Sequence, residues 1–339
     1  MIQLQKASQG RGFDIVFLPD GYTDKELVPG GPFEDTARAF MEQFFVYEPF
    51  KTLRERFNIW CVRAVSENSE YGSPKSTRKF TEDTEDGTIT TFNSVIKEYG
   101  AKVMVAEGNP RKMVVITNVL DSYGRSWCTV GKNSIALILD ALDHRPTTIN
   151  HELGHAIGYL ADEYVEYEGK CPDNNQLDKD FNLSGFYGNI DWRNNPATVR
   201  WAHLLADPRY GAEGLGIFEG ATYSKGVYRS TANSMMRKDY EKGAVFNATC
   251  RELIYQQVMR YSEGSGWAFD YEEFVAADAA GRKQAADAFS GKDILCSPRK
   301  RAPIKTEEDR FMPDLPPIMA DDSVCTVSVT PDGRVILGY

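Results

Sequence analysis

HELGHAIGYLADEY, His151 to Tyr164, is the stretch on which the reading of this 339-residue chain turns. It holds the pattern HExxH followed by an acidic pair. An α-helix advances about 100° per residue, so His151 and His155 lie about 40° apart on one face and one turn apart, close enough for both imidazoles to reach one ion. Glu152 sits beside that face, where it can take a proton from a water activated by the ion and pass it to a leaving amine. The chemistry that fits is metal-dependent peptide hydrolysis.

Two imidazoles do not complete a catalytic zinc site, which uses three protein ligands and keeps a fourth position for water. The nearest further donors are Asp162 and Glu163. In an unbroken helix Asp162 would lie about 16 Å along the axis from His151. A carboxylate bond to zinc of about 2.0–2.2 Å therefore requires the helix to stop soon after His155 and the chain to turn back. Gly158 is expected to make that stop, because glycine adopts the left-handed conformation that ends helices. HExxHxxG opens the metzincin signature, whose third ligand falls three residues after the glycine. Here that position is Ala161, and Asp162 comes one residue later. Asp162 is thus the first candidate for the third ligand, Glu163 the alternative, and Glu166 or Glu219 more remote ones. The opposing reading makes Asp162 and Glu163 solvated charges at a helix end.

The chain has only four histidines, His144, His151, His155 and His203, so two of them flanking a glutamate at helical spacing stand out against the composition; the plainer reading is a helix whose histidines merely pair with neighbours. Its surroundings agree. SIALILD, Ser134 to Asp140, reads as a buried strand, and Pro146 followed by TTIN reads as a helix opening. Downstream, TANSMMRKDY, Thr231 to Tyr240, is similar to a Met-turn, in which Met235 or Met236 would pack beneath the zinc-binding imidazoles. Tyr240 and Tyr228 are candidates to stabilise an oxyanion through a phenolic hydroxyl, against the plainer reading that both pack.

Beyond the helix, four stretches resemble the IgA-peptidase-like zinc metallopeptidases of bacteria. They are DIVFLPDGYT (Asp14 to Thr23), ERFNIWCVRAVS (Glu55 to Ser66), HELGHAIGYLADEY, and GIFEGATYSKGVYRSTANSMMR (Gly216 to Arg237), and the resemblance spans roughly residues 12–260. The spacing from HExxH to DEY is its specific part. The resemblance implies a metzincin-like α/β fold, one zinc ion, Asp162 as third ligand and endopeptidase activity on a protein or peptide substrate. Immunoglobulin A is not carried over as that substrate. The rival from another class is a non-catalytic zinc-containing surface module that binds a glycan or host protein, and the intact Glu152 speaks against it.

A net charge of −10 and an isoelectric point near 5.1 argue against partners that demand a basic face, such as nucleic acid or an anionic membrane. No run approaches the ~18 apolar residues of a membrane helix. The first residues lack the layout of a signal peptide. An exported setting, periplasmic, cell-surface or secreted, is nonetheless expected from the resemblance, with any leader lying outside this chain. Six cysteines are spread without a CxxC, and Cys171 with Cys250 is the first pair to consider for a disulfide.

FDIVFLPD, FNIWCVRAV, KMVVITNVL and SIALILD read as β-strands, alternating with amphipathic FEDTARAFMEQFFVYEPF and GTITTFNSVIKEYG. This is an α/β pattern with a mixed, mostly parallel sheet. SYGRSWCTVG, Ser122 to Gly131, is a candidate antiparallel edge to which an extended peptide could add, or else a surface loop. The run Asp173 to Asp180 carries calcium-type oxygens without EF-hand order. Trp192, Trp201 and Tyr210 are divided between substrate subsites and core. CRELIYQQVMRYS reads as a closing helix, and CTVSVTPDGRVILGY as a terminal hairpin. The expected organisation is an upper catalytic subdomain at 12–158 with the zinc helix, a loop-rich and helical lower subdomain at 159–266 with the Met-turn, and a C-terminal extension at 267–339.

Overall fold

The computed structural model describes residues 1–68, 78–83, 89–118, 126–139, 145–171, 185–239 and 244–291, together with the backbone of three short strands near the C-terminus. The chain divides into two compact units. One comprises Met1–Gln43, Glu55–Glu152 and Ser297–Tyr339, and the other Phe44–Arg54 and Leu153–Cys296.

The first unit is built on strands β1 (Ile2–Gln5), β2 (Phe13–Asp20), β3 (Phe57–Cys61), β4 (Thr81–Asp83), β5 (Ile89–Phe92), β6 (Arg111–Thr117), β7 (Trp127–Val130) and β8 (Ile135–Leu139). Its larger sheet runs β1-β3-β2-β6-β8-β7 and ends on Ile318–Met319. β2, β3, β6 and β8 pair in parallel, whereas β1 and β7 join antiparallel. Parallel strands are covered on both faces and so need near-continuous apolar runs. FDIVFLPD accordingly is buried at every residue of β2, and IALIL at every residue of β8. Helix α1 (Pro32–Phe44) opens on a proline and carries Glu34 and Asp35 in its first turn, where the helix dipole favours acids.

Two expectations are corrected here. GTITTFNSVIKEYG does not form one helix: Ile89–Phe92 is β5, and only Asn93–Gly100 is helical, as α2. The run of β-branched residues favours the strand. Nor is β7 an open edge throughout, because Ile318 and Met319 pair in parallel with Thr129 and Val130. The part of SYGRSWCTVG before Ser126 lies outside the described residues. The terminal hairpin is present as Thr326–Val329 against Val335–Gly338, and its first strand pairs antiparallel with β5. The PDG turn itself lies outside the described residues. Leu18, Val115, Leu137 and Ile96 of α2 meet in one core cluster.

Helix α3 (Thr148–Gly158) crosses the line between the units, which falls after Glu152. The second unit then forms a three-stranded sheet of β9 (Val165–Lys170), β10 (Ile190–Asp191) and β11 (Phe218–Arg229). In it β11 lies parallel to β9 and antiparallel to β10. The expected closing helix spans Ala248–Glu263, capped by Asn247, whose side chain accepts from the Cys250 amide at 3.0 Å. Arg251 on this helix is fully buried between Glu213 and Asp278, with N–O distances of 2.7 Å to each. Trp201 and Tyr210 also belong to this unit's interior. The Trp201 indole donates to the Gly216 carbonyl at 2.8 Å, and Tyr210 stacks on Phe274. Neither lines a subsite, because both rings are used to fill the core. Trp192 stays half-buried with the Arg193 guanidinium 5.7 Å from its ring. The Cys171–Cys250 disulfide is not formed; both are buried thiols, and the Cys250 thiol donates to Glu163.

Candidate metal centre

α3 is buried along its whole length after Thr148, including His151, Glu152 and His155. A polar helix face is buried at such cost only where its groups meet something in return. The helix ends as the ligand geometry demands, but not at the residue expected. Gly158 is its last helical residue, and Tyr159 takes the left-handed conformation, with φ 54°. Glycine at 158 serves packing instead: a Cβ there would stand 2.8 Å from Ile254 Cγ1. Tyr159 is held in its strained turn by burial of its ring against Phe186 at 4.7 Å and by the Tyr187 amide, which donates to its carbonyl at 2.7 Å.

After the turn the chain comes back along the helix. The Leu160 carbonyl lies 2.7 Å from His155 Nδ1, which fixes the ring and leaves Nε2 as the outward donor. The Asn189 side chain brackets Ala161, accepting from its amide at 2.8 Å and donating to its carbonyl at 2.9 Å. Asp162 is thereby delivered to the histidines. One ligand atom each from His151, His155 and Asp162 lies within 4.8 Å of the other two, and all three residues are buried.

The donor set fits zinc. Bonds of about 2.1 Å at tetrahedral angles put ligand atoms roughly 3.4 Å apart. His155 Nε2 and Asp162 Oδ1 are 3.4 Å apart. Two nitrogens and a carboxylate oxygen are also the ligand types of catalytic zinc.

The other carboxylates are placed elsewhere. Glu163, expected as the alternative ligand, is outside the group: its carboxylate accepts from Asn189, Ser234, Asn247 and Cys250. Glu166 on β9 is half-buried and also outside the group. Burial pushes its carboxyl up to about 7; a hydrogen bond from Tyr167 opposes the shift, and the charge of Asp162 adds to it. Glu219 is bound to Lys225 and to the Gly226 amide at 3.3 and 3.0 Å.

Met235 and Met236 are fully buried at the start of the short helix Met235–Lys238. Met236 packs against α3: a Cβ on Gly154, between the two histidines in sequence, would sit 2.9 Å from its Sδ. Tyr228 on β11 is half-buried opposite Asp191, and its hydroxyl accepts from Asn194 at 3.4 Å. Tyr240 and the Asp173 to Asp180 run lie outside the described residues. Asn189, Ser234 and Asn247 were not anticipated. Only Asn247 carried a signal, as an N-cap residue before a helical run.

Two buried imidazoles and a carboxylate that converge on one point are a donor set of the kind found in metal-dependent hydrolases. The particular family follows from the sequence. The chain belongs to the IgA Peptidase M64 family, whose model matches residues 2–210. The protein is therefore a peptidase, with protein as its substrate class. No curated protein matches the chain. The match ends before Met235, so the methionine packing rests on the structure alone. Among the described residues no helix is long and apolar enough to cross a membrane.

Proposed function

We propose that this peptidase is a zinc-dependent endopeptidase with a metzincin-like site, in which His151, His155 and Asp162 hold one catalytic ion. The convergence of these three donors, with Glu152 next to His151 in the chain, is the observation that carries the reading. When bound, the zinc polarises the scissile carbonyl and lowers the pKa of water.

The remaining steps fall to the chain's own side chains. Glu152 accepts the proton of the attacking water and delivers it to the departing amide nitrogen, which must leave as an amine. Its burial keeps bulk water from competing for that proton. The Leu160 carbonyl holds His155 by its Nδ1, so the ring would present Nε2 to a bound ion. Met236 would take the part of the Met-turn, supporting α3 at Gly154. Tyr228 is a candidate to stabilise the oxyanion, as is Tyr240.

Glu152→Gln tests the mechanism. The variant should bind zinc as the wild type does and lose turnover by about 10²–10⁴-fold on a mixed peptide library. Cleavage at the wild-type rate would remove Glu152 from the role. A zinc-loaded wild type that binds peptides without cutting any would favour the binding-module reading instead.

A further inference from the structure

We propose that Glu163 is a positioning residue that holds the Asp162 carboxylate at His155 by fastening the chain after α3 to three distant parts of the second unit. The proposal rests on the zinc-site reading. Glu163 itself touches neither the ion nor the substrate in this scheme.

Glu163 is fully buried, and its carboxylate is saturated. Oε1 accepts from Asn189 Nδ2 at 3.1 Å, Asn247 Nδ2 at 3.0 Å and Cys250 Sγ at 3.3 Å. Oε2 accepts from Ser234 Oγ at 2.7 Å and Asn247 Nδ2 at 3.0 Å. A carboxylate offers about four lone-pair sites, so five contacts leave it no capacity for a metal. The backbone is held as firmly: the Glu163 amide donates to the Met236 carbonyl at 2.8 Å. Asp162 therefore sits between two clamped peptides, with Asn189 on Ala161 and Met236 on Glu163. The Thr222 hydroxyl also donates to the Asp162 carbonyl, at 3.4 Å.

These bonds close a ring. The strand of chain that carries Asp162 is tied to Met236, and Met236 packs on Gly154 of the helix that carries the histidines. A shift of Asp162 relative to His155 would have to stretch that ring. Groups that orient a metal ligand from behind affect metal affinity by about 10–100-fold.

A double-mutant cycle read by zinc affinity separates positioning from general support of the fold. Zinc dissociation constants would be measured by competition with a chromophoric chelator. The proteins are the wild type, Glu163→Gln, Ser234→Ala, Asp162→Ala and the two doubles with Asp162→Ala, each checked for folding by circular dichroism. Glu163→Gln should weaken zinc by about 10–100-fold, and Ser234→Ala by less. Neither should weaken it further once Asp162 is alanine, because the ligand being positioned is gone. Wild-type zinc affinity in Glu163→Gln would overturn the proposal, as would an equal loss in both backgrounds. If Glu163→Gln does not fold, Ser234→Ala carries the same cycle. Failure of the zinc reading looks different: Asp162→Ala and His155→Ala would then bind zinc like the wild type, and the proposal would fall with it.

Discussion

The second unit buries carboxylates in two contrasting settings. Around Arg251, the Glu213 and Asp278 carboxylates each meet the guanidinium through paired hydrogen bonds, at 2.7 and 3.1 Å and at 2.7 and 2.8 Å. The cation is built into the chain. At the end of α3, by contrast, the group brought together is two imidazoles and a carboxylate, whose donor atoms are all Lewis bases when the histidines are neutral. Lone pairs gathered out of water repel one another unless something positive is shared among them. A buried acid that carries its own guanidinium is therefore a fastening, whereas one that converges with imidazoles is, under the zinc-site proposal, a receptor. Burial alone does not tell the two apart; the sign of the neighbours does.

The contrast is broken most sharply at Arg251. Arg251→Met leaves two carboxylates buried without their cation and should cost about 3–5 kcal/mol of stability in urea unfolding. Asp162→Asn in the metal-free protein should stay within about 1 kcal/mol of wild type while zinc affinity falls, because it removes a charge from a group of bases. A loss at Asp162 as large as that at Arg251 would mean that the metal-free cluster is itself a fastening. Next in size is Gly158→Ala, whose Cβ would press on Ile254 at 2.8 Å. It should cost about 1–3 kcal/mol by the same measurement. An unchanged midpoint would show that α3 and the helix Ala248–Glu263 can move apart without penalty.

The smallest effect concerns His203. Its Nε2 lies 2.8 Å from Glu252, a hydrogen bond that raises the imidazole above its ordinary range. A raised folded value means stability fully present below the unfolded pKa of about 6.5 and lost as pH rises through the folded value. The imidazole is 43% exposed, so solvent screening keeps the contribution below about 1 kcal/mol. His203→Gln should therefore lower the melting temperature slightly at about pH 5.5 and not at all at about pH 9. A difference that grows with pH would contradict the assignment.

The sheet was legible because parallel strands buried on both faces write themselves as unbroken apolar runs. FDIVFLPD and SIALILD could hardly be anything else. The family was legible too, since its motifs are contiguous words. β5 was missed because a strand-forming tetrapeptide, three of its residues β-branched, stands directly against a helical run with no turn residue between them. At the candidate centre, the need for the chain to turn back could be deduced from rise per residue alone. Which residue takes the left-handed turn could not. Tyr159 has no intrinsic preference for it, and it is held there by partners such as Phe186 and Tyr187. The bonds to Glu163 were hidden for the same reason: Ser234, Asn247 and Cys250 lie 71, 84 and 87 residues away.

That separation has a consequence for the order in which the chain acquires its shape. His151, His155 and Asp162 are encoded within one helix and one turn, and closing so short a loop costs little chain entropy. The bonds that hold Glu163 must wait for segments made much later, and long-range contacts form slowly. A polypeptide emerging from the ribosome thus exposes every donor atom before the clamp behind them exists. Tight capture of the ion would belong to the last stage of folding rather than to its beginning.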